Sequence, residues 1–302
     1  MQDILIQAFC YIAIILLGYC LREKGVFGEN AFPVLSSIVI KITLPGAIIA
    51  SAAGRVIDPS MLVLPLLGFG GGVVYMTAAA LLCSRSSRQE RAFAVLNTPG
   101  YNIGTFAMPF TQGFLGSLGI TTTSFFDIGN AFICLGGSYG IAAAIKAGEG
   151  FNIRRILRAL AGSVPFVTYV ITVSMNLLRI DIPGPVVSCA QIISAANPFL
   201  AMLMIGVGFR LSGNRSQLGM VARILIPRFS LAAVLALCYY FLLPFPLEVR
   251  QALVILAFSP IGSAVPGFTA ELKEDVGLSS AINSISIVVS IVLIVALLLI
   301  ML

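Results

Sequence analysis

The chain has 302 residues, 59% hydrophobic and 10% charged, with a mean hydropathy of +1.04 and a formal net charge of +6. A soluble domain carries about 25% charged residues, so this composition excludes an ordinary water-soluble core and points to an all-α integral membrane protein. There is no His, which removes the commonest metal ligand and the commonest general base near neutral pH.

The six cysteines (Cys10, Cys20, Cys83, Cys134, Cys189 and Cys238) lie scattered in apolar segments without a C-x-x-C pair. They read as small buried hydrophobes, and neither a metal site nor a resident cofactor is expected. No pair of intramembrane carboxylates occurs, and with no His the usual base for a nucleophile is missing, so an intramembrane enzyme is disfavoured.

In chain order, apolar windows of about 20 residues predict ten spans, at about 3–21, 31–53, 60–83, 91–112, 121–145, 156–178, 185–209, 219–243, 249–271 and 278–302. The first apolar run, Ile4 to Leu21, is followed by Arg22-Glu23-Lys24 and reads as a transmembrane helix, not a cleavable signal. Alternate loops differ in charge. One set holds thirteen Lys and Arg (Arg22, Lys24, Arg85, Arg88, Arg91, Lys146, Arg154, Arg155, Arg158, Arg210, Arg215, Arg223 and Lys273). The other holds three (Arg55, Arg179 and Arg250), and Lys41 and Arg228 fall inside spans. Cytoplasmic loops carry the excess, which places both termini outside. The basic charge is therefore a topology signal, and no nucleic-acid partner is expected.

Span 2 carries Lys41 one turn before Pro45. A charge at membrane depth faces a cavity or snorkels to the headgroups, so Lys41 is either a contact for an anionic substrate or an interfacial residue. Span 3 carries Gly68-Phe-Gly-Gly-Gly72 and span 5 Gly136-Gly-Ser-Tyr-Gly140, spacings that allow close helix packing.

Span 4 holds Asn97-Thr98-Pro99-Gly100 and then Ile103-Gly104-Thr105-Phe106-Ala107-Met108-Pro109. Span 9 holds Ser259-Pro260 and then Ile261-Gly262-Ser263-Ala264-Val265-Pro266. Proline within a helix costs about 3 kcal/mol, and freed backbone groups in lipid must find partners. Both spans are therefore expected to be interrupted. Broken apolar segments at matching places in two halves mark a transporter's binding site. Half-helix N-termini there would favour an anion such as a carboxylate. The substrate-site candidates are Asn97, Thr98, Pro99, Asn102, Thr105, Ser259, Pro260 and Ser263, with Lys41. Each polar one either satisfies freed backbone groups or contacts substrate.

The halves, 1–150 and 151–302, hold five spans each, and an odd number per half forces an inverted repeat. Span 2 carries Thr43-Leu44-Pro45 and span 7 Ala196-Asn197-Pro198. Asp127, with Asn130 in the same Phe126-Asp127-Ile128-Gly129-Asn130 run of span 5, is the candidate for coupling to a proton or sodium ion, or else a cap near the outer interface. Arg228 in span 8 reads equally as a functional cation or as the partner of a phospholipid or another helix.

These pieces carry a family resemblance. Gly18-Tyr-Cys-Leu-Arg-Glu-Lys-Gly25, Ile42-Thr43-Leu44-Pro45, Asn97…Tyr101-Asn102-Ile103-Gly104…Met108-Pro109, Asp127…Asn130 and Ser259-Pro260…Pro266 resemble the auxin efflux carrier family. That family includes plant PIN auxin exporters and bacterial malonate and malate carriers. The resemblance implies a fold like that of bile-acid symporters and sodium/proton antiporters. Helices 4 and 9 would cross at their breaks, spans 1, 2, 6 and 7 would form a scaffold, and spans 3–5 and 8–10 a transport domain. It further implies an elevator motion, a homodimer among membrane lipids, and a place in the plasma or bacterial inner membrane. A secondary carrier for a small organic anion is the expected function; a sodium-coupled symporter or sodium/proton antiporter is the alternative.

Overall fold

The computed structural model describes residues 2–28, 30–54, 58–147, 153–209 and 218–301. Arg55, Arg210 and Arg215 of the charge count, and the join of the two halves near residue 150, lie outside the described residues. In chain order the α-helices are α1 (Gln2–Glu23), α2 (Ala31–Ile38), α3 (Leu44–Ala52), α4 (Leu64–Leu82), α5 (Arg88–Asn97), α6 (Met108–Phe132), α7 (Ser138–Ala147) and α8 (Ile153–Gly162). They continue with α9 (Val164–Leu177), α10 (Gly184–Ala195), α11 (Asn197–Gly208), α12 (Leu218–Leu242), α13 (Leu247–Ala257), α14 (Val265–Glu271) and α15 (Val276–Met301). The described residues contain no β-strand.

Seven helical segments among them are long and apolar enough to cross a membrane, or eight if the bent pair α8–α9 is one span. This is fewer than the ten spans expected, for a physical reason. α13 and α14 are each too short to span alone, and 103–146 runs as one helical stretch although Gly116 (φ +57°, ψ −145°) interrupts it. The outer surface is apolar: Ile300 is 80% exposed, Ile192 77% and Leu242 74%. Water would not tolerate so much contiguous apolar area. Cys10, Cys20 and Cys189 lie on that surface, so these three are exposed and only Cys83 is fully buried, against the expectation that all six are.

Several prolines sit where a missing N–H costs least, although Pro227 lies inside α12. Pro65, Pro165, Pro198 and Pro266 each occupy the first turn of an α-helix, where that N–H has no intrahelical acceptor. Before α3 and α6 the chain winds in wider π-turns at Val39–Thr43 and Ile103–Ala107. Pro45 and Pro109 are thereby absorbed into continuous helical turns, and neither breaks its span. The interruptions lie upstream, at 98–102 and 258–264. Span 6 is not straight as drawn from its hydropathy. α8 and α9 meet at 77°, where the Ser163 hydroxyl caps α9 by accepting from the Phe166 N–H at 3.5 Å.

α1 packs along α11, α3 against α9 and α10, and α2 against α11. A second set packs α4 with α5 and α6, α5 with α7, α13 with α6 and α12, and α14 with α15. Close backbone approach requires glycine between α4 and α6. A Cβ on Gly68 would strike the Phe126 carbonyl, and one on Gly129 the Pro65 carbonyl. The glycine run of span 3 therefore serves packing, as expected.

Candidate functional site

The two interruptions touch. α5 ends at Asn97 and the chain leaves helical geometry through Thr98–Asn102, with Gly100 at φ +81°, a conformation that glycine adopts without strain. α13 ends at Ala257 and the chain resumes helix at Val265. The Asn102 N–H donates to the Pro260 carbonyl at 2.9 Å, so each break supplies a partner to the other.

An asparagine from a later stretch of helix, Asn130 of α6 and Asn283 of α15, holds each break. In the first, Asn130 Oδ1 accepts from the Tyr101 N–H at 3.0 Å and its Nδ2 donates to the Tyr101 carbonyl at 2.9 Å. In the second, Asn283 Nδ2 donates to the carbonyls of Ile261 (3.0 Å) and Gly262 (3.2 Å), while Ser286 Oγ accepts from the Ile261 N–H at 3.2 Å. Buried backbone groups outside regular structure need such partners. Arg228 of α12, 1% exposed, completes the junction. Its guanidinium donates to the Thr98 carbonyl, and at 2.9 Å to those of Gly100 and Ser259.

Beside this junction lies a cavity of about 160 Å³. Asn102, Gly104 and Thr105 line it from the first break, and Gly262, Ser263 and Ala264 from the second. Asp127, Asn130 and Cys134 line it as well, as do Ile40, Leu44, Ser163, Phe166 and Tyr169. No Lys or Arg is among these lining residues. Asp127 accepts from Asn130 Nδ2 at 2.8 Å through one oxygen and from the Tyr169 hydroxyl at 3.0 Å through the other. At about 30 Å³ per water, the space suits several waters or a solute of a few heavy atoms.

Of the sequence candidates, the fold brings Asn102, Thr105, Ser263, Asp127 and Asn130 to the cavity. It does not bring Asn97, Thr98, Pro99, Ser259 or Pro260 to its walls. Asn97 is fully buried in a bonding network: Ser279 Oγ donates to its Oδ1 at 2.5 Å, and its Nδ2 donates to the Phe93 carbonyl at 3.0 Å. The hydroxyls of Thr98 and Ser259 bond back to Ala94 and Ile255 one turn earlier. Their carbonyls, like that of Pro260, serve the junction.

Lys41 is exposed and absent from the lining, although its neighbours Ile40 and Leu44 contribute. The snorkelling alternative fits that position better than a substrate contact. Asp127 lines the cavity. The proline-containing motifs matched in spans 2 and 7 also meet: Thr43 Oγ1 donates to Asn197 Oδ1 at 2.9 Å.

Sequence reasoning missed Tyr169, Ser163 and Phe166, because span 6 carries no motif and its bend follows only from packing. A Ser-x-Pro at 163–165 was the available signal for that bend. It missed Asn283 as well, although Asn283 lies in span 10 as Asn130 lies in span 5.

No family model matches the chain. Among curated proteins it is 26% identical over 208 residues to an uncharacterized transporter of Methanothermobacter thermautotrophicus, a match covering 67% of this chain and 66% of that one. It is 22% identical over 217 residues to an uncharacterized transporter of Methanocaldococcus jannaschii, covering 68% of each. The match thus spans about two thirds of the length of these relatives.

Proposed function

We propose that this chain is a secondary transporter that binds a small organic anion, a carboxylate, in the cavity beside the two breaks and moves it together with a proton. The observation that carries this reading is Asp127. Its carboxyl lines the cavity and is held by Asn130 and Tyr169, next to the opening turn of the helix at Ile103–Ala107. The first N–H groups of a helix lack intrahelical acceptors and favour negative charge. An ionised Asp127 would repel an anion placed there, so a proton on Asp127 and the anion bind as a pair. The names of the two archaeal relatives support a transport role.

The arrangement also supports a ten-span inverted repeat with discontinuous helices α5–α6 and α13–α14, as in the auxin efflux carriers that the sequence resembles. In that reading α1–α3 and α8–α11 form a scaffold, and α4–α7 and α12–α15 a transport domain that slides as an elevator. The cavity's walls come from both sets, Ile40, Leu44, Ser163, Pro165, Phe166 and Tyr169 from the first and the rest from the second. Such a boundary is where alternating access would open and close a site. Termini outside, a homodimer and a plasma or inner membrane location belong to the same proposal.

A sodium-coupled symporter or sodium/proton antiporter is the second reading. It is favoured by the neutral oxygen donors near Asp127, since hard cations take oxygen ligands. Purified protein in liposomes separates the two. Labelled mono- and dicarboxylates are expected to accumulate when a proton gradient is imposed, with sodium replaced by choline. Cation flux with no carboxylate flux would overturn the anion reading, and an absolute sodium requirement would favour the second.

A further inference from the structure

Arg228 is the largest fully buried side chain, and none of the ion pairs among the described residues includes it. Its three acceptors are all main-chain carbonyls. Thr98 and Gly100 follow the last turn of α5, and Ser259 follows the last turn of α13. The Tyr75 hydroxyl reaches a further carbonyl of the same end, Ala257, at 3.5 Å. The guanidinium also lies over two tyrosine rings, with its carbon 4.8 Å from the Tyr75 centroid and 5.7 Å from that of Tyr101.

The charge balance is informative. A helix C-terminus carries about half a negative charge, so two that converge present about one. Converging carbonyls of this kind are the ligand set that binds an alkali cation in membrane proteins. Here one guanidinium, permanently charged, supplies the matching positive charge.

We propose that Arg228 is a resident cation, tethered where a dissociable metal ion would otherwise bridge the two helix ends. The junction of the breaks therefore assembles without sodium or potassium. The inference rests on the proposed transport reading only in one consequence: a coupling ion is left no carbonyl site at the junction and must use the Asp127 cavity. The planar fork is part of the argument. Arg228 spans three carbonyls of two segments at once, whereas an ammonium is a point donor on a flexible stem. Arg228→Lys should keep the charge and lose part of the bridge, Arg228→Gln should keep donors and lose the charge, and Arg228→Ala should open a cation-sized void.

The test is heat stability of the full-length purified protein in detergent, read as the fraction surviving size-exclusion chromatography after heating. Salts are choline, sodium and potassium chloride at equal ionic strength, with and without millimolar guanidinium. The wild-type midpoint is expected to be the same in all three salts. Arg228→Ala should melt several degrees lower and recover most of that loss in guanidinium, which should leave the wild type unmoved. Arg228→Lys should fall between wild type and Arg228→Gln.

The proposal is overturned if sodium or potassium saturably stabilises the wild type over choline and does so equally in Asp127→Asn, which removes the cavity carboxylate. It is equally overturned if Arg228→Ala matches the wild type, if guanidinium acts alike on both, or if Arg228→Gln is as stable as Arg228→Lys. Should Arg228→Ala not be recovered folded, the Lys and Gln variants decide; should those fail too, the salt series on wild type and Asp127→Asn decides. Heating reads the junction and not the solute. A liposome screen without carboxylate flux would sink the anion reading and leave this result standing.

Discussion

Asn130 grips both main-chain polar groups of Tyr101, accepting from its N–H at 3.0 Å and donating to its carbonyl at 2.9 Å. One side chain thus stands in for the two helical hydrogen bonds that the break removes. The same amide donates to Asp127 at 2.8 Å, so the residue that holds the break also positions the carboxyl in the cavity. Backbone repair and the candidate site share one residue.

Replacing Asn130 by Ala should therefore lower stability markedly. A buried polar group left without a partner costs about 1–3 kcal/mol; this change, at a position 2% exposed, strands the Tyr101 N–H and takes one of two donors from Asp127, while the Tyr101 carbonyl keeps the Ile103 N–H at 2.9 Å. Asn283→Ala should also destabilise, but less. Asn283 is only partly buried and serves carbonyls alone, the Ile261 N–H being met by Ser286. Thermal unfolding midpoints in detergent give the order: wild type, then Asn283→Ala, then Asn130→Ala.

Asp127→Asn should abolish the effect of an imposed proton gradient on uptake, because the amide cannot carry the proton. Tyr169→Phe should keep the gradient effect. It deletes one hydrogen bond, worth about 0.5–1.5 kcal/mol, so its KM should move by up to about tenfold. Uptake into liposomes, with and without the gradient, checks both. Gradient-driven uptake by Asp127→Asn at the wild-type level would remove Asp127 from coupling.

Lys41→Ala should leave uptake nearly unchanged. Lys41 is exposed and off the cavity wall, and substitutions at such positions change stability by only about 0.5 kcal/mol either way. KM and kcat within about twofold of wild type are expected from that energy. A large rise in KM would return Lys41 to the substrate path.

Gly68→Ala and Gly129→Ala should each destabilise by about 1–3 kcal/mol, because the added methyl meets a main-chain carbonyl of the facing helix and cannot be accommodated by a rotamer change. The double variant should cost less than the sum, since both methyls push the same pair of helices, α4 and α6, apart. Unfolding midpoints of the two single variants and the double variant measure this coupling.

Much of the outline was legible in the chain itself. Hydropathy found apolar segments close to their observed limits, as in 31–53 against Ala31–Ala52 and 219–243 against Leu218–Leu242. The paired Pro-Gly motifs marked the neighbourhood of both interruptions. These features are local: a run of apolar residues, or a proline without its N–H, acts on the backbone within a few residues whatever surrounds it. The roles of single side chains were not local. Asn97 and Asn102 stand five apart in one motif, yet Asn97 is tied to Ser279 inside the protein and Asn102 faces the cavity. Lys41 and Arg228 both read as charges within spans. One is exposed, and the other is buried on carbonyls from segments 130 and 31 residues away in sequence. Composition and periodicity determined that this chain is helical and apolar and where it is interrupted. Only the tertiary structure decided which polar groups meet, because a donor and its acceptor far apart in the chain are brought to bonding distance by packing alone.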